Sequence, residues 1–210
     1  MAYGEHWEWR AFGAVAPELR RRILALEPAS PGPWQVEDTY LYACHVTINV
    51  KLRSDELKLK RFLAREGGLE RWLEDPAEVW ALPLAPDVAA LTAAALDVAA
   101  PPLPARPLDQ ATLLSWLGRA EPPVQPIVVR KTRHLRTLPL PGVTPDVLLE
   151  LADIAAPQAI ASLALEHPAA EPIQRAGALL GLNAAPLTPM NYMQALDLWA
   201  SGRLIPVKST

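Results

Sequence analysis

The sequence predicts an α+β fold: a closed or nearly closed β-barrel with helices packed outside it. Three observations lead there. Several short segments alternate apolar with charged residues at period two, as strands with one buried face do. The charges on those segments are mostly cationic and recur on separate strands. Amphipathic and alanine-rich helical segments lie between and after the strands, and they can bury the apolar faces from outside.

Residues Glu5 to Phe12 alternate, with His6, Glu8 and Arg10 on one face and Trp7 and Trp9 on the other. Pro17 stands near a helix start, and Glu18 to Leu26 place Leu19, Ile23 and Leu26 on one side. A strand set covers Val36 to Arg53, where Val46, Ile48, Val50 and Leu52 alternate with Thr47, Asn49, Lys51 and Arg53. Ser54-Asp55 makes a two-residue turn into Glu56 to Phe62, and the pair reads as a β-hairpin. Gly67-Gly68 ends the unit, and Leu69 to Glu74 are expected to be helical.

From Pro76 to Pro126 the composition shifts to proline and alanine. A helix capped by Asp87 runs through Val98, and a second covers Leu108 to Leu117 with Gly118 as its stop. This stretch, 76–126, is expected to be a helical insertion or lid within one domain spanning 1–210. Strands resume at Ile127 to Leu138, Asp146 to Asp153 and Ala159 to Glu166. A helix over Ala169 to Leu180 closes at Gly181, and Thr188 caps the last one, with Pro189 in its first turn and Gly202 past its end.

The polar faces carry charges of defined sign. Lys51, Arg53, Lys58 and Lys60 come from the hairpin, Lys131 and Arg133 from a later strand, and Arg10 from the first. Glu8, Asp146, Glu150 and Glu166 come from other positions. If these faces line a bore, its cations repel one another and lose hydration, so water or a polyanion must fill it. A phosphate-rich guest suits Arg and Lys, and the carboxylates suit Mg²⁺ or Mn²⁺. The same alternation also fits a solvated outer face with lysines on edge strands.

The formal net charge of −3 gives no global signal for nucleic acid or an anionic membrane. No apolar run is long enough for a transmembrane helix, and the N-terminus shows no secretory segment. The one cysteine, Cys44, suits a reducing cytoplasm, excludes an internal disulfide and is expected to be packed; His45 beside it points the other way on a strand. No phosphate-binding glycine loop, dinucleotide fingerprint or nucleophile elbow is present. His6 is expected to be a polar lining residue, with a metal ligand as the lesser reading.

The order of the pieces resembles the CYTH superfamily, the triphosphate tunnel metalloenzymes. That family's opening Glu-x-Glu-x-Lys strand is similar to His6-Trp7-Glu8-Trp9-Arg10. Asp38-Thr39-Tyr40, Val50-Lys51-Leu52-Arg53, Leu57-Lys58-Leu59-Lys60 and Lys131-Thr132-Arg133 match later strands. Asp146 to Glu150 and Leu163-Ala164-Leu165-Glu166 resemble the acidic strands, and Asn191-Tyr192 the opening of the last helix.

The resemblance implies an antiparallel eight-stranded tunnel, a triphosphate or polyphosphate guest and a divalent metal, Mg²⁺ or Mn²⁺. It implies phosphate contacts from Arg10, Lys51, Arg53, Lys58, Lys60, Lys131 and Arg133. Turnover should depend on Lys58 and Arg133. It implies metal ligands at Glu8, Glu150 and Glu166, with Asp146 as a further candidate. His6 and Ala164 stand where the family carries acids. A phosphohydrolase is therefore the first expectation, and a non-catalytic polyphosphate- or nucleotide-binding module the alternative.

Overall fold

The computed structural model describes residues 4–44 and 46–208, so His45 lies outside the described residues. Among them are ten strands: β1 (Gly4–Gly13), β2 (Trp34–Tyr42), β3 (Ile48–Arg53), β4 (Glu56–Glu66), β5 (Leu69–Glu74), β6 (Val79–Ala81), β7 (Gln125–Leu138), β8 (Val147–Ala156), β9 (Ile160–His167) and β10 (Leu187–Pro189). Five helices accompany them: α1 (Pro17–Leu24), α2 (Pro86–Ala95), α3 (Gln110–Leu117), α4 (Ala170–Leu180) and α5 (Tyr192–Ala200). Eight strands pair antiparallel in the order β1-β5-β4-β3-β2-β7-β8-β9, and β9 returns to β1. The result is the expected closed barrel with helices outside. β6 adds to β4, and β10 to β1.

Period-two alternation sorts each wall. Leu149, Leu151, Leu163 and Leu165 face out and are buried under α1 and α4 through Leu19, Ile23, Ile173 and Ala176. Trp7 and Trp9 pack on the same cluster, which gives them the apolar home their strand needs. On the opposite wall Ile48, Val50, Leu52, Leu57 and Leu59 are covered by α2 and α3. The segment between β5 and β7 thus adds an outer layer to that wall. A third cluster lies at one end of the bore: inward-facing Phe12, Tyr40, Val129 and Ile154 meet Tyr192, Ala195 and Leu196 of α5, which stops that end.

The Ser54-Asp55 turn forms as expected: both residues have positive φ, as a two-residue hairpin loop requires, and Arg53 pairs with Glu56. Gly13 is needed where β10 crosses β1, because a Cβ there would lie 2.7 Å from the Pro186 carbonyl oxygen.

Four expectations are corrected. Leu69 to Glu74 form a strand, β5, bonded to β1 and β4 on either side. Leu69, Trp72 and Leu73 have helix-like spacing, but Gly67 and Gly68 adopt positive φ and fold the chain into a hairpin there. Thr188 and Pro189 belong to β10, and α5 is capped by Asn191, whose side chain accepts from the Gln194 amide while Gln194 reaches back. α2 begins at Pro86 and ends at Ala95, so Asp87 lies in its first turn instead of capping it. Cys44 is exposed, because it stands beyond the end of β2 where no wall covers it.

Leu163→Ala, a fully buried truncation under the outer helices, should cost about 2–5 kcal/mol by denaturant unfolding. Leu179→Ala, at a side chain 56% exposed, should stay within about 0.5 kcal/mol.

Candidate functional site

The inward faces carry the charges. β1 points His6, Glu8 and Arg10 into the bore, and its register sets Glu8 against Glu166 and Arg10 against Ala164 of β9. Ala164 also pairs with Glu150 of β8. The small side chain thus leaves room beside Arg10, whose guanidinium reaches Glu8 at 2.6 Å, Ser162 at 2.9 Å, Glu150 at 3.1 Å and Glu166 at 3.8 Å.

Six cations line one cavity: Arg10, Lys51, Arg53, Lys60, Lys131 and Arg133. They come from β1, β3, β4 and β7. Glu8, Glu74, Glu150 and Glu166 line it too, and buried Asp38 bonds Arg53 at 2.5 and 2.6 Å and Lys131 at 3.4 Å. Lys60 lies 2.6 Å from Glu8 and 3.0 Å from Glu74, and Arg133 is paired with Glu150. The bore is therefore close to neutral, where the sequence alone suggested a large cationic excess. The unfilled space is about 40 Å³, room for about three water molecules. A triphosphate would have to take the place of these internal pairs. A second cavity of about 160 Å³ adjoins it and shares Glu8, Arg10 and Asn191.

Burial would raise the Glu8 carboxyl, but Arg10 and Lys60 outweigh it and hold the group low. Glu150 is likewise held low against its burial by Arg133, Lys131 and Arg10, and Asp38 by Lys51, Arg53 and Lys131. Glu166 differs. Burial raises it, Lys60 opposes, and the neighbouring Glu8 charge adds to the rise.

Lys51 is the exception among the cations. It forms no ion pair among the described residues, and its ammonium faces the Tyr40 ring at 5.9 Å. Burial, with Arg53 beside it, pushes it from 10.5 down to about 7. Between those values the folded chain holds a neutral amine and the unfolded chain an ammonium. The unfolded state then binds the extra proton, so this group makes the fold more stable as pH rises from 7 to 10.5.

Of the sequence candidates, Arg10, Lys51, Arg53, Lys60, Lys131, Arg133, Glu8, Glu150 and Glu166 all meet at the cavity. Lys58 is opposite Lys51 in register but bonds Glu56 at 2.7 Å and is not among the lining residues. Asp146 is exposed just before β8 begins. His6, Glu8 and Glu166 offer ligand atoms within 4.8 Å of one another; Glu150 stands outside that group. Nε2 of His6 is buried with no hydrogen-bond partner among the described residues, so this donor set fits a divalent cation.

Sequence reasoning did not single out Asp38, Glu74 or Tyr192 as site residues. Glu74 was hidden by the helical reading of β5. Asp38 shares strand parity with Tyr40 and Tyr42, a clue that one face of β2 is polar at one end and aromatic at the other. Tyr192 stacks on Tyr40 and accepts a hydrogen bond from Lys131 at 3.0 Å, so α5 contributes to the cavity wall.

No family model matches the chain, and no curated protein does. Solved structures do. The PH1012 protein from Pyrococcus horikoshii OT3 aligns over 90% of this chain and 98% of its own, at 17% identity and a TM-score of 0.54. A conserved hypothetical protein from Pyrococcus furiosus aligns over 89% and 98%, at 14% identity and a TM-score of 0.50. At such identities the likeness speaks for the fold.

Asp38→Asn should destabilise the protein by about 3–5 kcal/mol, because Arg53 and Lys131 lose their buried counter-charge. Lys51→Met should leave stability at pH 7 unchanged or higher and flatten its rise towards pH 10, read from denaturant midpoints across that range.

Proposed function

We propose that this chain binds a triphosphate in its barrel and hydrolyses it with the aid of a divalent cation, Mg²⁺ or Mn²⁺, as a divergent relative of the CYTH triphosphate tunnel proteins. The observation that carries the reading is the convergence of six Lys and Arg side chains from four strands on one cavity. Arg10, Arg53 and Arg133 present planar forks suited to phosphate oxygens, and Lys51, Lys60 and Lys131 add point charges. These groups would hold the chain of phosphates and stabilise the charge that develops as water attacks the terminal phosphorus. His6, Glu8 and Glu166 would hold the cation, which supplies further neutralisation of phosphate oxygens.

A non-catalytic polyphosphate- or nucleotide-binding module of the same fold is the second reading. What favours it is that Glu150 is committed to Arg133 and Arg10, which leaves only Glu8 and Glu166 of the three carried-over acids at the cation cluster.

Calorimetry with tripolyphosphate, with and without Mn²⁺, tests both, followed by a phosphate-release assay that includes thiamine triphosphate and ATP. Binding with phosphate release is expected. Binding without release selects the second reading, and no binding at low salt overturns both. Above pH 7, anion binding should draw about one proton onto Lys51, so affinity should fall as pH rises and the heat should vary with buffer ionisation enthalpy. Lys51→Met should abolish that proton uptake and weaken binding about tenfold or more.

A further inference from the structure

We infer that His6 biases the barrel's cation site towards ions that accept a nitrogen ligand, Mn²⁺, Co²⁺ or Zn²⁺, and against Mg²⁺. This deepens the reading above by naming the ion class its site would take. The imidazole is 4% exposed. Its Nδ1 lies 3.2 Å from the Gly4 carbonyl oxygen, an acceptor only, so Nδ1 carries the proton and Nε2 the lone pair. That lone pair has no hydrogen-bond partner among the described residues. The nearest acid beyond the cluster, Glu74, stands 3.9 Å from Nε2, outside hydrogen-bond reach.

An unpaired acceptor in a buried place costs stability unless something binds there. A ring nitrogen of His6 and carboxylate oxygens of Glu8 and Glu166 lie within 4.8 Å of one another, a spread that side-chain rotation can close around one ion. The Gly4 carbonyl behind Nδ1 is the outer support that a metal-binding imidazole takes, fixing its tautomer and ring plane. Strand pairing holds the three positions: β1 supplies His6 and Glu8, and Glu166 is opposite Glu8 in register.

The donor set then decides between ions. Mg²⁺ takes oxygen ligands in near-ideal octahedral geometry and gives up its water reluctantly. Imidazole suits later first-row ions, whose affinity for nitrogen sites rises from Mn²⁺ through Co²⁺.

The test uses the full chain, stripped of metal and free of phosphate. Calorimetric titrations with Mg²⁺, Mn²⁺ and Co²⁺ should give one site per chain, with Co²⁺ and Mn²⁺ at least about tenfold tighter than Mg²⁺. His6→Gln should lower Co²⁺ affinity by about tenfold or more and leave Mg²⁺ within about threefold. In the unaltered protein, Mn²⁺ should broaden the His6 ring signals in the NMR spectrum, a readout that needs no variant to fold. Equal affinity for Mg²⁺ and Co²⁺, no metal binding at all, or His6 signals untouched by Mn²⁺ would each overturn the inference. None of these titrations contains phosphate, so their failure leaves the tripolyphosphate result standing, and the reverse holds too.

Discussion

Pairwise neutralisation of charge inside a closed wall is the constraint on which this structure depends. Eleven ionisable side chains face one narrow space, six basic and five acidic when Asp38 is included. Lone charges in such a place would be driven to neutral forms or would open the barrel. The lattice avoids this by giving most groups several partners, with Arg10 at its centre between Glu8, Glu150 and Glu166. Closure of β9 onto β1 puts Arg10 beside those acids, so barrel topology and electrostatic balance hold each other in place.

The outer layers follow from the same arrangement. A wall that spends its inner face on charge has only its outer face for apolar burial. Two helical layers cover that face, α1 with α4 and α2 with α3, and each packs on leucine-rich strand faces. The inner face becomes apolar only at one end, where α5 inserts Tyr192 beside Tyr40 and Phe12. Stability thus comes mainly from outside the barrel, and the interior is left to ion pairs that contribute little net stability but are costly to break singly.

Much of this was legible in the sequence wherever one strand face was apolar and the other charged. The β3–β4 hairpin and β7 showed clear alternation and gave Lys51, Arg53, Lys60, Lys131 and Arg133 a common side. β5 was not legible, because both its faces mix apolar and charged residues and Leu69, Trp72 and Leu73 imitate a helical stripe. Missing β5 hid Glu74, and reading Asp38 only as part of a strand motif left out a fully buried carboxylate, so the bore looked far more cationic than it is. Ala164 looked in sequence like a lost acid. In the fold it stands between Arg10 and Glu150 and gives the guanidinium space that a longer side chain would fill.

Glu8 links the two halves of the cavity. One carboxylate serves Arg10 and Lys60, and the same carboxylate belongs to the cluster with His6 and Glu166. A cation drawn to that cluster would share the negative charge of Glu8 and weaken its hold on Lys60 and Arg10. Those two side chains would then be freer to meet an anion. An anion bound to them would, in turn, release Glu8 towards the cation. Cation and anion would therefore favour each other by the same factor, as linkage requires. A nearly neutral, tightly filled bore is then consistent with a site for a charged guest, because the guest exchanges one set of ion pairs for another and does not enter an empty hole.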